Sequence, residues 1–188
     1  MRYLMKKSVV FFVFMGLMAG AGVFAQSLSA SRSVELSFTY TRQGGFGSNQ
    51  FAVWITDAQG NHVKTLYATR FTASGGYAKR PQSIPDWVKQ SGIASMSKTQ
   101  VDALTGATPR TGSLRYRWDG TDQAGAAAPA GEYRVFLEAS LRDQNRVLYS
   151  APVQLGASSA PVELEPRYFG GDTKVRAMIS GVKVFSTP

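Results

Sequence analysis

In VELSFTY, residues 34–40, the apolar side chains of Val34, Leu36, Phe38 and Tyr40 alternate with Glu35, Ser37 and Thr39. Successive side chains of an extended chain point to opposite faces, so a period of two sets one face against a core and the other in water. The stretch therefore reads as a half-buried strand, and the same signal recurs outward from it. Phe51–Ile55 and Val63–Phe71 form a second pair of strands, joined by DAQGN, Asp57–Asn61, whose Asp, Gly and Asn supply the backbone freedom of a hairpin loop. Ser113–Trp118, Glu132–Ser140, Arg146–Ser150, Val153–Leu155 and Val175–Val184 are the remaining strand candidates. Sequential antiparallel strands at this spacing predict an all-β fold, an antiparallel β-sandwich.

One segment interrupts the pattern. From about Thr72 to Thr111 there is little strand character, and an ordered connection of roughly forty residues exceeds the usual length and points to function. Thr72–Pro81 reads as loop. In PQSIPDWVKQS, Ser83 is the expected cap, Pro85 falls in the first turn, and Trp87 and Val88 form the buried face. A second helical turn is expected over Thr99–Leu104, closed by Gly106.

The chain begins MRYLMKK, continues SVVFFVFMGLMAGAGVF and reaches AQS, the basic head, apolar core and small-residue exit of a secretory signal peptide. Cleavage is expected after Ala25, with Val23 and Ala25 in the positions that must be small; an uncleaved anchor over Ser8–Phe24 is the alternative. Residues 26–188 then form a single exported, periplasmic domain with an insertion at about 72–111. With no cysteine in the sequence, disulfides, thiolate metal sites and cysteine nucleophiles are excluded. The formal charge of +9 falls to +6 when Arg2, Lys6 and Lys7 leave with the signal peptide. The remaining cations are scattered, and Arg115 and Arg117 alternate with Leu114, Tyr116 and Trp118 as on the wet face of a strand. A nucleic-acid partner is not expected; an acidic partner, an anionic surface or a phosphate-bearing ligand suits the charge better.

Hydrolytic chemistry finds no support. A Ser-His-Asp set would need His62, the one histidine, which follows the hairpin turn and reads as an exposed strand residue. The same scarcity of histidine leaves only dispersed carboxylates for a transition metal. The glycine pairs at 44–45, 75–76 and 170–171 read as turns.

WDGTDQAGAAAPAGEYRVFLEA, Trp118–Ala139, resembles the W-D-G-x-D-x-x-G-x-x-x-P-x-G-x-Y pattern of immunoglobulin-like domains in exported bacterial proteins. Trp118 and Tyr133 would anchor two neighbouring strands. Asp119 and Asp122 read as backbone caps, the alternative being a calcium loop for which the string supplies too few ligands. Over nearly the full mature length, the order FAVWITDAQGNHVKTLYATR, FTASGGYAKRPQSIPDW, VDALTGATPRTG, WDGTD and PAGEY resembles a family of predicted periplasmic proteins of unknown function.

A third resemblance concerns chemistry. Asp102, Thr105, Gly106, Ala107 and Thr108 match D-x-x-[ST]-G-A-[ST], the acceptor motif of bacterial flavin transferases of the ApbE type. The resemblance implies FMN joined through its phosphate to the Thr108 hydroxyl, with Asp102 and Thr105 as recognition positions. Gly106 and Ala107 would keep the turn narrow. A threonine hydroxyl is a weak nucleophile without a base, so its activation would come from the transferase. Gly106 is expected to give the turn an unusual backbone, with N–H groups that can face a phosphate. Arg110 and Lys98 are candidates to neutralise the phosphodiester, and Tyr77, in a glycine loop, to stack on the flavin ring. Trp87 and Trp118 read as core. Two functions follow: an exported electron carrier, not a self-sufficient enzyme, with a flavin transferase and a membrane-bound electron-transfer protein as partners; or a non-redox immunoglobulin-like periplasmic binding or envelope protein in which TGAT is only a turn.

Overall fold

The computed structural model describes residues 32–45, 48–142 and 144–188; the expected signal peptide lies outside the described residues. Two sheets face each other. One has the order β5-β1-β10-β8 and the other β4-β3-β2-β6-β7-β9. The strands are β1 Ser33–Tyr40, β2 Gln50–Asp57, β3 His62–Thr69, β4 Thr105–Gly106, β5 Gly112–Trp118, β6 Gly131–Arg142, β7 Asn145–Leu155, β8 Val162–Glu163, β9 Arg167–Phe169 and β10 Ile179–Thr187. The named pairings are antiparallel except β3 with β4, which run parallel.

The main core lies between the sheets. The expected face of β1, Val34, Leu36, Phe38 and Tyr40, is buried there against Phe51, Val53, Ile55, Val135 and Leu137. A second core lies on the outer face of the larger sheet, where Ala52, Trp54 and Ala68 meet Ile84, Trp87, Ile93, Val101 and Leu104 of the insertion. Strand β2 is therefore buried on both faces, which accounts for the unbroken apolar run FAVWI where β1 alternates. The Trp54 ring stacks on Phe136 at 4.9 Å, and its Nε1 donates to Gln90 Oε1 at 2.6 Å.

Within the insertion, Thr72–Pro81 is not the loop expected from sequence: Thr72–Gly76 makes a kinked π-helical turn that runs into α1, Tyr77–Lys79. Gly76 is required by close approach, since a Cβ there would lie 2.2 Å from the Phe71 carbonyl oxygen. Helix α2, Pro85–Ser91, has Pro85 in its first turn and Trp87 buried, as expected. Ser83 does not cap it. The preceding residue, Ile84, is in the left-handed region at φ 43°, and tertiary partners serve the helix start instead: Trp87 N–H donates to Glu138 Oε2 at 3.0 Å and Ile84 N–H to Ser140 Oγ at 3.2 Å. A single-turn 3₁₀ segment, Ile93–Ser95, leads to α3, Lys98–Leu104.

Three strand expectations change. Arg146–Ser150 and Val153–Leu155 are parts of one strand, β7. Val175–Val184 begins as helix α4, Thr173–Arg176, before β10. Trp118 and Tyr133 belong to opposite sheets and meet edge to face at 4.7 Å across the core, so they bridge the sandwich and do not mark neighbouring strands. Asp119 Oδ1 accepts from Thr121 N–H, and Asp122 Oδ1 from the N–H groups of Ala124 and Ala126, which is the capping role.

Candidate functional site

Helix α3 starts with a capping box: Ser97 Oγ accepts from Gln100 N–H, and Gln100 Oε1 accepts from Ser97 N–H. Val101 and Leu104 face the second core while Asp102 and Ala103 face solvent, the spacing of an amphipathic turn. Asp102 pairs with Lys98 four residues earlier at 2.6 Å, and this hydrogen bond and charge hold its carboxyl below the usual range. Lys98 is thus engaged with the motif's own carboxylate.

Gly106 does not close the helix. The helix gives way at Thr105, whose backbone is extended, and Thr105 and Gly106 pair with Ala68 and Thr69 as the two-residue edge strand β4. Nor does Gly106 adopt a positive φ. Its value is space: a Cβ at this position would lie 2.7 Å from Cε2 of Tyr67, so the Tyr67 ring closes over the bare glycine. The Tyr67 hydroxyl donates to the Ala107 carbonyl at 2.8 Å. The Thr105 hydroxyl oxygen is buried without a hydrogen-bond partner.

From Gly106 the chain crosses to the other sheet and enters β5 at Gly112. Since β4 and β5 are edge strands of opposite sheets, Ala107–Thr111 is a connection over the open side of the sandwich. Ala107 and Arg110 are exposed and Thr108 is half-buried. The far end is held by Arg42 N–H, which donates to Thr111 Oγ1 at 3.0 Å.

The ring that meets this connection is Tyr67, which the acceptor motif does not mark. Tyr67 packs on Phe51 at 4.9 Å and on Tyr116 at 5.2 Å. Burial, with Tyr40 nearby, raises the Tyr67 hydroxyl pKa to about 12, and burial raises that of Tyr116 as well. Tyr77 lines a depression of about 360 Å³ with Ala73, Ile93, Met96 and Asp102, in whose lining Thr108 has no part. The motif is therefore divided: Asp102 and Tyr77 share one surface, while Gly106, Ala107 and Tyr67 share another. No local signal in the sequence marks Tyr67, because its link to Ala107 spans forty positions.

His62 is half-buried, not exposed as expected. Its Nε2 lies 2.8 Å from Thr65 Oγ1, which also accepts from Trp87 Nε1 at 3.1 Å. The threonine proton is thereby left for the imidazole, and burial lowers the His62 pKa, both of which suit a neutral structural ring. His62 also borders a larger cleft of about 680 Å³ at the hairpin end, lined by Asp57, Asp122, Glu132 and Tyr133 among others.

Among the described residues no group of three or more His, Asp or Glu could hold a metal ion, and no helix is long and apolar enough to cross a membrane. Compared with known families, residues 31–171 match the model of a family described as predicted periplasmic protein (DUF2271). No curated protein and no solved structure matches the chain. The match spans most of the sequence, and the chain belongs to that family.

Proposed function

We propose that this member of the predicted periplasmic family is an exported electron carrier with FMN bound covalently to Thr108. The observation that carries the reading is the position of Thr108: half-buried in the connection between two edge strands, followed two residues later by exposed Arg110. A hydroxyl in a core could not meet a second protein, whereas one on a surface connection can. Ala107 leaves the approach narrow and Arg110 offers a guanidinium to the phosphate, so the residues fit the group.

In the modification, Thr108 Oγ bonds to the FMN phosphorus of a flavin dinucleotide supplied with the transferase. The anhydride bond breaks, the nucleoside monophosphate leaves, and the hydroxyl proton passes to a base of the transferase. When bound, the flavin supplies reversible electron uptake. This chain's part would be to hold the phosphodiester at the sandwich edge through Thr108, with Arg110 two residues on. Partners are the flavin transferase and a membrane-bound electron-transfer protein.

The test is retention of flavin. Protein exported from cells that also make a flavin transferase, then denatured in guanidinium and desalted, is expected to keep flavin absorbance. Loss of all flavin, while an established acceptor treated in parallel keeps its own, overturns the reading. The cleft near His62 favours a second reading, a non-redox binding protein, which then takes its place.

A further inference from the structure

The acceptor motif is only partly presented. Asp102 stands in solvent on the last turns of α3, whereas the Thr105 hydroxyl is buried and the Gly106 backbone lies under the Tyr67 ring. A transferase that recognises these positions can meet Asp102 on the folded protein, but while β4 is docked Thr105 and Gly106 are half-buried, the Thr105 hydroxyl oxygen is out of reach and the Tyr67 ring covers one side of Gly106. Among the described contacts, β4 is docked by two residue pairs, Ala68 with Thr105 and Thr69 with Gly106, by the Tyr67 ring over Gly106 and by the Tyr67–Ala107 hydrogen bond. On the helical side the attachment is firmer, because Val101 and Leu104 are buried in the second core. The boundary between what stays and what can leave therefore falls between Leu104 and Thr105.

Resting on the reading of Thr108 as acceptor, we propose that β4 is a releasable strap and that the Tyr67 hydroxyl is its latch, so that the transferase modifies a state in which residues 105–107 have left the edge of β3. Tyr67 is a positioning residue: it touches neither flavin nor the reacting oxygen. The ring fills the groove over Gly106, and the hydroxyl fixes the carbonyl of the residue immediately before Thr108. A second copy of this logic at the other end of the connection is separable, since Thr111 is held from β1's side by Arg42 N–H and not by β3.

If release precedes modification, the rate at low transferase concentration follows the released population. Removing one hydrogen bond of ordinary strength raises that population on the order of threefold to tenfold. Tyr67→Phe is the variant of choice, because it keeps the ring packed on Phe51 and Tyr116 and leaves the motif intact. Thr111→Val is the comparison, loosening the connection without touching β4.

The experiment follows FMN incorporation into the full mature chain by intact mass, with purified transferase and flavin dinucleotide, beside amide hydrogen exchange across residues 104–108. Tyr67→Phe is expected to gain FMN about threefold to tenfold faster than wild type, with faster exchange in that segment, and Thr111→Val to stay near wild type. An unchanged or slower rate in Tyr67→Phe overturns the latch while leaving Thr108 as acceptor. Equal acceleration in Thr111→Val also overturns it, since any loosening would then suffice. No FMN on any variant, with a control acceptor modified in the same mixture, removes the acceptor reading and the latch with it.

Discussion

Glu138 is wholly buried on β6, where it accepts from Trp87 N–H at 3.0 Å and meets Arg146 at 2.9 Å. Arg146 also pairs with Asp86 at 2.7 Å. Burial raises the carboxyl from 4.5 to about 7, with Asp86 adding to it and the Trp87 N–H and Arg146 opposing. Between those two values the folded protein keeps a proton that the unfolded chain has released, so this group's contribution to stability falls as pH rises through the window. Urea midpoints of wild type are therefore expected to decline from pH 4.5 to pH 7 more steeply than those of Glu138→Gln. Parallel curves for the two proteins would contradict this. Such a site is illegible in sequence, since Glu138 sits in GEYRVFLEAS like a charge on a wet face; it is buried only because the insertion covers that face. Gly106 shows the converse. Its presence was legible and its reason was not, because the reason is the Tyr67 ring from another strand.

At the scale of elements, the insertion is held to the sheet by Trp87, fully buried, its indole N–H donating to Thr65 Oγ1 at 3.1 Å. Truncating a buried tryptophan removes a large apolar surface and leaves a cavity, at a cost of about 3–5 kcal/mol. Trp87→Ala is expected to lose stability of that order in urea and to expose residues 72–111 to proteolysis before the sandwich itself is cut. Cleavage spread evenly over both sheets would show that the insertion has no independent weak point. The helix is readable from Pro85 and Trp87, but its start is not, because the side chains that satisfy it, Glu138 and Ser140, come from β6 and take the place of the local candidate Ser83. Likewise the helical turn expected over residues 99–104 is present as α3, while its exit into a parallel edge strand depends on β3 and has no local sign.

At the scale of the whole molecule, alternation in β1 and the turn residues of DAQGN and WDGTD were enough for an all-β sandwich with an inserted helical segment. Strand order was not readable, since β1 lies between β5 and β10, pairings that no neighbouring sequence specifies. The same long-range closure places β4 and β5 at the edges of opposite sheets and strings residues 107–111 between them, which leaves Thr108 half-buried on a surface connection. The central claim is that this threonine carries the flavin. The most direct measurement is the intact mass of the mature protein after export from cells that make a flavin transferase, with Thr108→Ala beside it. The account predicts a gain of one FMN minus water in wild type and none in the variant. An unmodified wild type, with a control acceptor modified in the same cells, or an equal gain in Thr108→Ala, would contradict it.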